Sequence, residues 1–161
     1  MKEYKGRLIA HNVRVGIVAS RFNECITKNL FSGALEAFSR CGLSEDSIIT
    51  AWVPGSYEVP LAAKCMAMHA GVDAVVCLGA VIRGETAHFE YIAGQVSSGI
   101  AQIALDMQIP IIFGILTTHT IEQAIERSGS KAGNKGEEAA YTALEMIDLL
   151  RQMKGCSIRS S

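Results

Sequence analysis

Residues 74–88 read AVVCLGAVIRGETAH, and this stretch decides the fold. Ala74–Ile82 is an almost unbroken apolar run rich in β-branched residues, the pattern of a strand covered on both faces. The chain then turns polar at Arg83-Gly84-Glu85-Thr86-Ala87-His88 and resumes with apolar residues at helical spacing: Phe89, Ile92, Val96, Ile100 and Ile103. Thr86 is of the right type to cap that helix. A buried strand leading through a tight turn into an amphipathic helix is half of a βαβ unit, and a parallel sheet needs similar units on either side.

The rest of the chain supplies them. A first apolar run, Val13–Ala19, leads to a helix that can start at Asn23, with Ile26, Leu30, Ala34 and Phe38 on one face and Gly42 as its stop. A second run, Ser47–Val53, leads to a helix near Tyr57 or Glu58, with Pro60 in its first turn and Gly71 beyond its end. The fourth run is Ile111–Leu116. Thr120 with Gln123 then predicts a capping box for a short helix ending near Ser128-Gly129. The Gly129–Gly136 stretch, GSKAGNKG, reads as a loop before a last helix that turns Ala140, Leu144 and Ile147 inward. Strands alternating with helices predict an α/β fold, with a parallel sheet between two helical layers and right-handed crossovers.

The chain has 161 residues, enough for a single domain with a real core. Residues 1–12 read as an N-terminal arm and residues 155–161 as a flexible tail. Hydrophobic residues make up 49% and charged residues 19%, an apolar excess that calls for a subunit interface. A net charge of -1 without a basic block argues against nucleic acid as a partner. Of the five cysteines, most fall in apolar periodic segments and read as buried free thiols of a reducing compartment. The N-terminus does not resemble a signal peptide, and Val75–Ile82 and Ile109–Leu116 are too short to span a membrane. A cytoplasmic enzyme is the expectation.

In open parallel sheets ligands bind beyond the carboxyl ends of the strands. Those ends carry the unusual residues here: Ser20–Asn23, Pro54–Glu58, Arg83–His88 and Thr117-Thr118. A helix start after Gly84 offers unpaired N–H groups to a phosphate, although a turn of this kind can also bind nothing. His88, in the first helical turn, can exchange protons near neutral pH, or merely be solvated. Ser56 and Glu58 can hold a polyol, or cap and compensate a helix. Phe22 and Phe113 can stack on a planar ring or serve as core aromatics. Arg127 and Lys135 are candidate donors to phosphate and ring carbonyls, or a helix-end charge and a loop lysine. His69 suits a helix C-terminus, His11 lies in the arm, and His119 sits in a solvated turn before Thr120. There is no P-loop, no G-x-G-x-x-G after the first strand, no G-x-S-x-G elbow and no clustered Cys/His spacing for a metal.

The strings ASRFN (19–23), AWVPGSYEVPLAA (51–63), LGAVIRGETAHFEYI (78–92) and FGILTTHTIEQAIERSGSKAGNKG (113–136) occur in this order. Together they resemble the 6,7-dimethyl-8-ribityllumazine synthase family, over about Val13 to Met153. The resemblance implies a flavodoxin-like strand order 2-1-3-4, with the N-terminal arm added to a neighbouring subunit's sheet. It also implies condensation of 5-amino-6-(D-ribitylamino)uracil with 3,4-dihydroxy-2-butanone 4-phosphate, the penultimate step of riboflavin biosynthesis, without cofactor or metal. By the same resemblance Phe22 stacks on the pyrimidine, Ser56, Tyr57 and Glu58 hold the ribityl chain, and Ala80, Val81 and Ile82 line the ring site. Glu85 and Thr86 present N–H groups to the phosphate, Arg127 is its counter-charge, and His88 transfers protons. Phe113 and Lys135 complete the pyrimidine pocket, with Arg127, from an adjacent subunit.

The family forms pentamers, many of them assembled by twelves into icosahedral shells, and riboflavin synthase is a candidate partner. An inactive shell-former, a flavin- or lumazine-binding homologue and the archaeal-type riboflavin synthase are the rival readings. The chain departs from the family at His119, where an acidic residue is usual, at Tyr57, where phenylalanine is common, and in its tail.

Overall fold

The computed structural model describes residues 1–155. Its strands are β1 (Val15–Ser20), β2 (Ile48–Val53), β3 (Ala74–Ile82) and β4 (Ile111–Thr118), joined into one sheet in the order β2-β1-β3-β4. All three pairings are parallel. The helices are α1 (Glu24–Arg40), α2 (Val59–His69), α3 (His88–Met107), α4 (Ile121–Glu126) and α5 (Lys135–Met153). The expected strand order is the one observed, and helices flank the sheet on both sides.

The strand period of two sorts the apolar residues between two cores. Ala74, Val76, Leu78 and Ala80 of β3 meet Leu30 and Phe38 of α1 and Leu144 and Ile147 of α5. Val75, Cys77 and Val81 of the same strand meet Val59 and Met66 of α2 and Val96, Ile100 and Ile103 of α3. This double burial is why β3 reads as a continuous apolar run.

Helices α1 and α5 approach backbone to backbone at Gly136, where an added Cβ would lie 1.9 Å from the Leu30 carbonyl oxygen. Asn134 holds the approach from the side. Its Oδ1 accepts from Gly136 N (2.8 Å) and Glu137 N (3.3 Å), capping α5, while its Nδ2 donates to the Asn29 carbonyl of α1 (2.9 Å).

Residues 1–12 form no strand or helix; the arm lies along its own α5. Arg7 donates from its backbone N (3.0 Å) and its Nε (3.2 Å) to Asp148 Oδ2, and Gln152 donates to the Lys5 carbonyl (2.7 Å). Burial raises the Asp148 pKa, but the hydrogen bonds from Arg7 and Gln152 and the Arg7 charge outweigh it, leaving the carboxyl below its ordinary value.

Several local expectations are corrected. The α3 helix begins at His88 with Ala87, not Thr86, at the cap, and no side chain caps it. Asn23 does precede α1, but its backbone is left-handed (φ 57°, ψ 44°) and its side chain does not cap. The GSKAGNKG segment contains a small antiparallel hairpin, β5 (Ser128–Ser130) with β6 (Gly133–Asn134). Thr120 does cap α4 by accepting from Gln123 N (3.2 Å), yet the Gln123 side chain accepts from His119 N (2.9 Å) instead of closing the box on Thr120. Among the described cysteines only Cys77 is buried, and burial pushes its thiol up to about 12; Cys25 and Cys65 are exposed and Cys41 is intermediate. Cys156 and the tail from residue 156 on lie outside the described residues. No helix among the described residues is long and apolar enough to cross a membrane.

Candidate active site

The carboxyl ends of β1, β2 and β3 and the start of α3 enclose a cavity of about 810 Å³. Phe22, Ser56, Tyr57, Glu58, Ala80, Val81, Ile82, Thr86 and His88 all line it. Glu85, in the same turn, is exposed and does not line it.

The walls are set by backbone more than by side-chain packing. Beyond β1, Arg21 N donates to the Val53 carbonyl (2.8 Å) and Phe22 N to the Pro54 carbonyl (3.1 Å), so the β1 loop continues the β2 pairing. Phe22 itself is 70% exposed, a ring held over the cavity rather than a core aromatic. At the floor, Ser20 and Ser56 are buried, and a Cβ on Gly79 would stand 2.7 Å and 2.8 Å from their hydroxyls. A larger residue there would have to displace both hydroxyls. Ser56 lines the cavity, but its Oγ is buried against Gly79 and has no hydrogen-bond partner among the described residues. The Glu58 carboxylate lies back over Gly55, whose Cβ would meet Oε2 at 3.1 Å.

The turn after β3 is anchored at one end and open in the middle. Arg83 N donates to the Thr118 carbonyl (2.9 Å), and the Arg83 guanidinium pairs with Glu90 while standing 5.1 Å from the centre of the Phe89 ring. Phe89 also stacks on His119, with ring centres 6.4 Å apart. Gly84 has nothing within 4 Å of where a Cβ would be, so an anion could approach the backbone there. With no side-chain cap on α3, no capping acceptor among the described residues competes with such an anion for the first-turn N–H groups.

Phe113, Arg127 and Lys135 are elsewhere. They line a second cleft of about 490 Å³ along the open edge of β4 and the near face of α5. The β5–β6 hairpin brings the two cations together: Lys135 N donates to the Arg127 carbonyl (2.9 Å). Arg127 Nη1 donates to the Gln123 carbonyl (3.0 Å), and Lys135 Nζ to Glu138 Oε2 (2.6 Å). The latter is an exposed pair, worth ~1 kcal/mol or less, so a ligand can displace it.

Sequence reasoning missed part of the cavity wall. Phe89 and Ile92, read only as the inner face of α3, are half-buried and line the cavity together with Tyr91. For Tyr91 and Ile92 the spacing of three and four from His88 was the available signal. Among the described residues, no group of three or more His, Cys, Asp or Glu side chains could hold a metal.

Comparison with known proteins points one way. The family model described as 6,7-dimethyl-8-ribityllumazine synthase matches residues 12–151. A protein of Protochlamydia amoebophila (strain UWE25) named 6,7-dimethyl-8-ribityllumazine synthase is 56% identical over 153 residues, which cover 95% of this chain and 89% of that relative.

Proposed function

The chain belongs to the 6,7-dimethyl-8-ribityllumazine synthase family, and we propose that the cavity beneath Phe22 and the edge cleft of β4 are two halves of its active site, joined between neighbouring subunits. The chain is a transferase of riboflavin biosynthesis. It condenses 5-amino-6-(D-ribitylamino)uracil with 3,4-dihydroxy-2-butanone 4-phosphate and releases phosphate and water.

The observation that carries the assignment is the segregation of the residues. Groups suited to the ribityl chain, the ring and proton transfer line one cavity, while the two cations and Phe113 line the other. A copy that sets its β4 edge against the first cavity of its neighbour completes that site and leaves its own cavity open for the next copy. Such a head-to-tail contact closes into a ring when the rotation allows. A ring of five, and a shell of twelve rings, is the assembly proposed here on the family likeness. In that assembly the N-terminal arm adds to a neighbour's sheet, and the finished particle resides in the cytoplasm, with riboflavin synthase as a partner.

Within the joined site Phe22 and Phe113 sandwich the pyrimidine, and the edge of Ala80–Ile82 and Lys135 meet its polar atoms. Ser56, Tyr57 and Glu58 bind the ribityl hydroxyls. The ketone phosphate sits at Glu85-Thr86 with Arg127 as counter-charge. Imine formation requires a proton for the departing carbonyl oxygen, and elimination requires removal of a carbon-bound proton as phosphate leaves. An imidazole at the lip, His88, serves both steps.

The test is to mix the protein with both substrates and follow lumazine absorbance and phosphate release. A rate no greater than the uncatalysed condensation refutes the assignment. Mixing denatured H88A and R127A subunits and refolding them together tests the sharing. About a quarter of the sites in random rings then receive both intact halves, so activity must return above either variant alone. Light scattering distinguishes ring from shell.

A further inference from the structure

Asn23 stands at the cap of α1 and does not act as a cap. An asparagine there ordinarily keeps an extended backbone and accepts an N–H of the first turn with Oδ1. Here the backbone is left-handed, at φ 57° and ψ 44°, a conformation that asparagine, aspartate and glycine tolerate best. The left-handed turn frees the side chain, and its Nδ2 donates across the sheet to the Ala80 carbonyl at 2.9 Å. The ladder between β1 and β3 ends at Ala19 with Leu78, so Ala80 lies past the last pair and Asn23 supplies a bond where the strands have parted.

Asn23 is bonded to Phe22 on one side and reaches Ala80 on the other, and both neighbours line the same cavity. Phe22, 70% exposed, has little packing to fix its ring. Its position follows from two backbone ties to β2 and from the Asn23 bond to β3. We infer that Asn23 is a positioning residue that sets the gap between the Phe22 ring and the Ala80–Ile82 edge, and thereby the affinity for the pyrimidine substrate. The inference rests on the proposed role of Phe22.

Three variants separate donor from backbone. N23G keeps the left-handed turn and removes the donor. N23D keeps size and turn but faces a carboxylate to the Ala80 carbonyl. F22A removes the ring. With one hydrogen bond at stake, N23G raises the KM for the pyrimidine roughly 3- to 10-fold, N23D raises it more, and the KM for the ketone phosphate stays within about 2-fold. In the F22A background N23G adds nothing further to the pyrimidine KM, which general destabilisation would not produce. An unchanged pyrimidine KM in N23G while F22A weakens it overturns the inference and leaves the proposed function standing. So does an N23G effect that persists in full without the ring. An unchanged pyrimidine KM in F22A itself overturns the role of Phe22 and this inference with it.

Discussion

Replacing Gly136 with alanine perturbs a point where α5 and α1 meet backbone to backbone. The added Cβ would lie 1.9 Å from the Leu30 carbonyl oxygen, 2.6 Å from its carbonyl carbon and 2.9 Å from its Cα. All three atoms are backbone, so no rotamer change relieves the clash. Restoring an ordinary contact of 3.4 Å requires the start of α5 to withdraw from α1 by about 1.5 Å. That movement would pull the Asn134 amide off the Asn29 carbonyl and shift Lys135, the residue immediately before Gly136. Overpacking a well-filled site costs about 1–3 kcal/mol and more where nothing can yield, while the helix preference of alanine over glycine returns at most ~1 kcal/mol. A net loss of about 2–3 kcal/mol in a chain of this size lowers Tm by roughly 4–12 °C. The measurement is thermal unfolding of wild type and G136A at one protein concentration, because assembly makes Tm concentration-dependent. A G136A protein that melts at or above the wild-type temperature would refute the reasoning, since it would mean that only helix preference is at work.

Four further outcomes are expected. R127A raises the KM for the ketone phosphate by roughly 10- to 100-fold, the worth of a hydrogen bond to a charged group, with little change for the pyrimidine; equal losses for both substrates contradict its role. H88A lowers kcat by up to roughly 10²–10⁴-fold while light scattering shows the same particle size, and an unchanged kcat removes the imidazole from the mechanism. The Asp148 carboxyl titrates below its ordinary value of 3.8 in the folded chain, so its stabilising contribution is complete above that pH and is lost as pH falls through the lowered value. Urea unfolding across this range should show wild type losing more stability on acidification than D148N; parallel losses would refute the Arg7–Asp148 linkage. Cys77, buried with its thiol raised to about 12, stays unmodified by iodoacetamide at pH 8 until the chain unfolds; peptide mass spectrometry showing its alkylation in folded protein would contradict that burial.

The layers of the fold were legible because burial leaves a period. The β3 run and the faces Ile26–Phe38 and Val96–Ile103 can be read from side-chain type alone. The helix starts were less so, because capping by residue type assumes that the side chain turns toward its own helix. Thr86 stays in the turn, and Asn23 spends its amide on another strand. Cysteine was misread because it is tolerated on the outer face of an apolar helix as readily as on the inner one, as Cys25 and Cys65 show. The residues of the first cavity could be grouped by their position after strand ends. No local pattern revealed that Phe113, Arg127 and Lys135 open onto a different surface, because that depends on which edge of the sheet β4 occupies. The role of Asn134 in holding α5 to α1 was not legible either; its partner, Asn29, is more than a hundred residues away.

The two cores are completed at different points along the chain. The one beneath α2 and α3 draws its buried residues from Val18 to Ile115, whereas the one beneath α1 needs Ala139, Ala140, Ala143, Leu144 and Ile147 from the last helix. During synthesis from the N-terminus the first can close while the second still waits for α5 to leave the ribosome. Until then the parts of α1 and β3 that α5 later covers stay exposed, although Leu30 and Phe38 of α1 already pack on β3. A chain that ends before residue 139 would therefore close one core and leave the other half built.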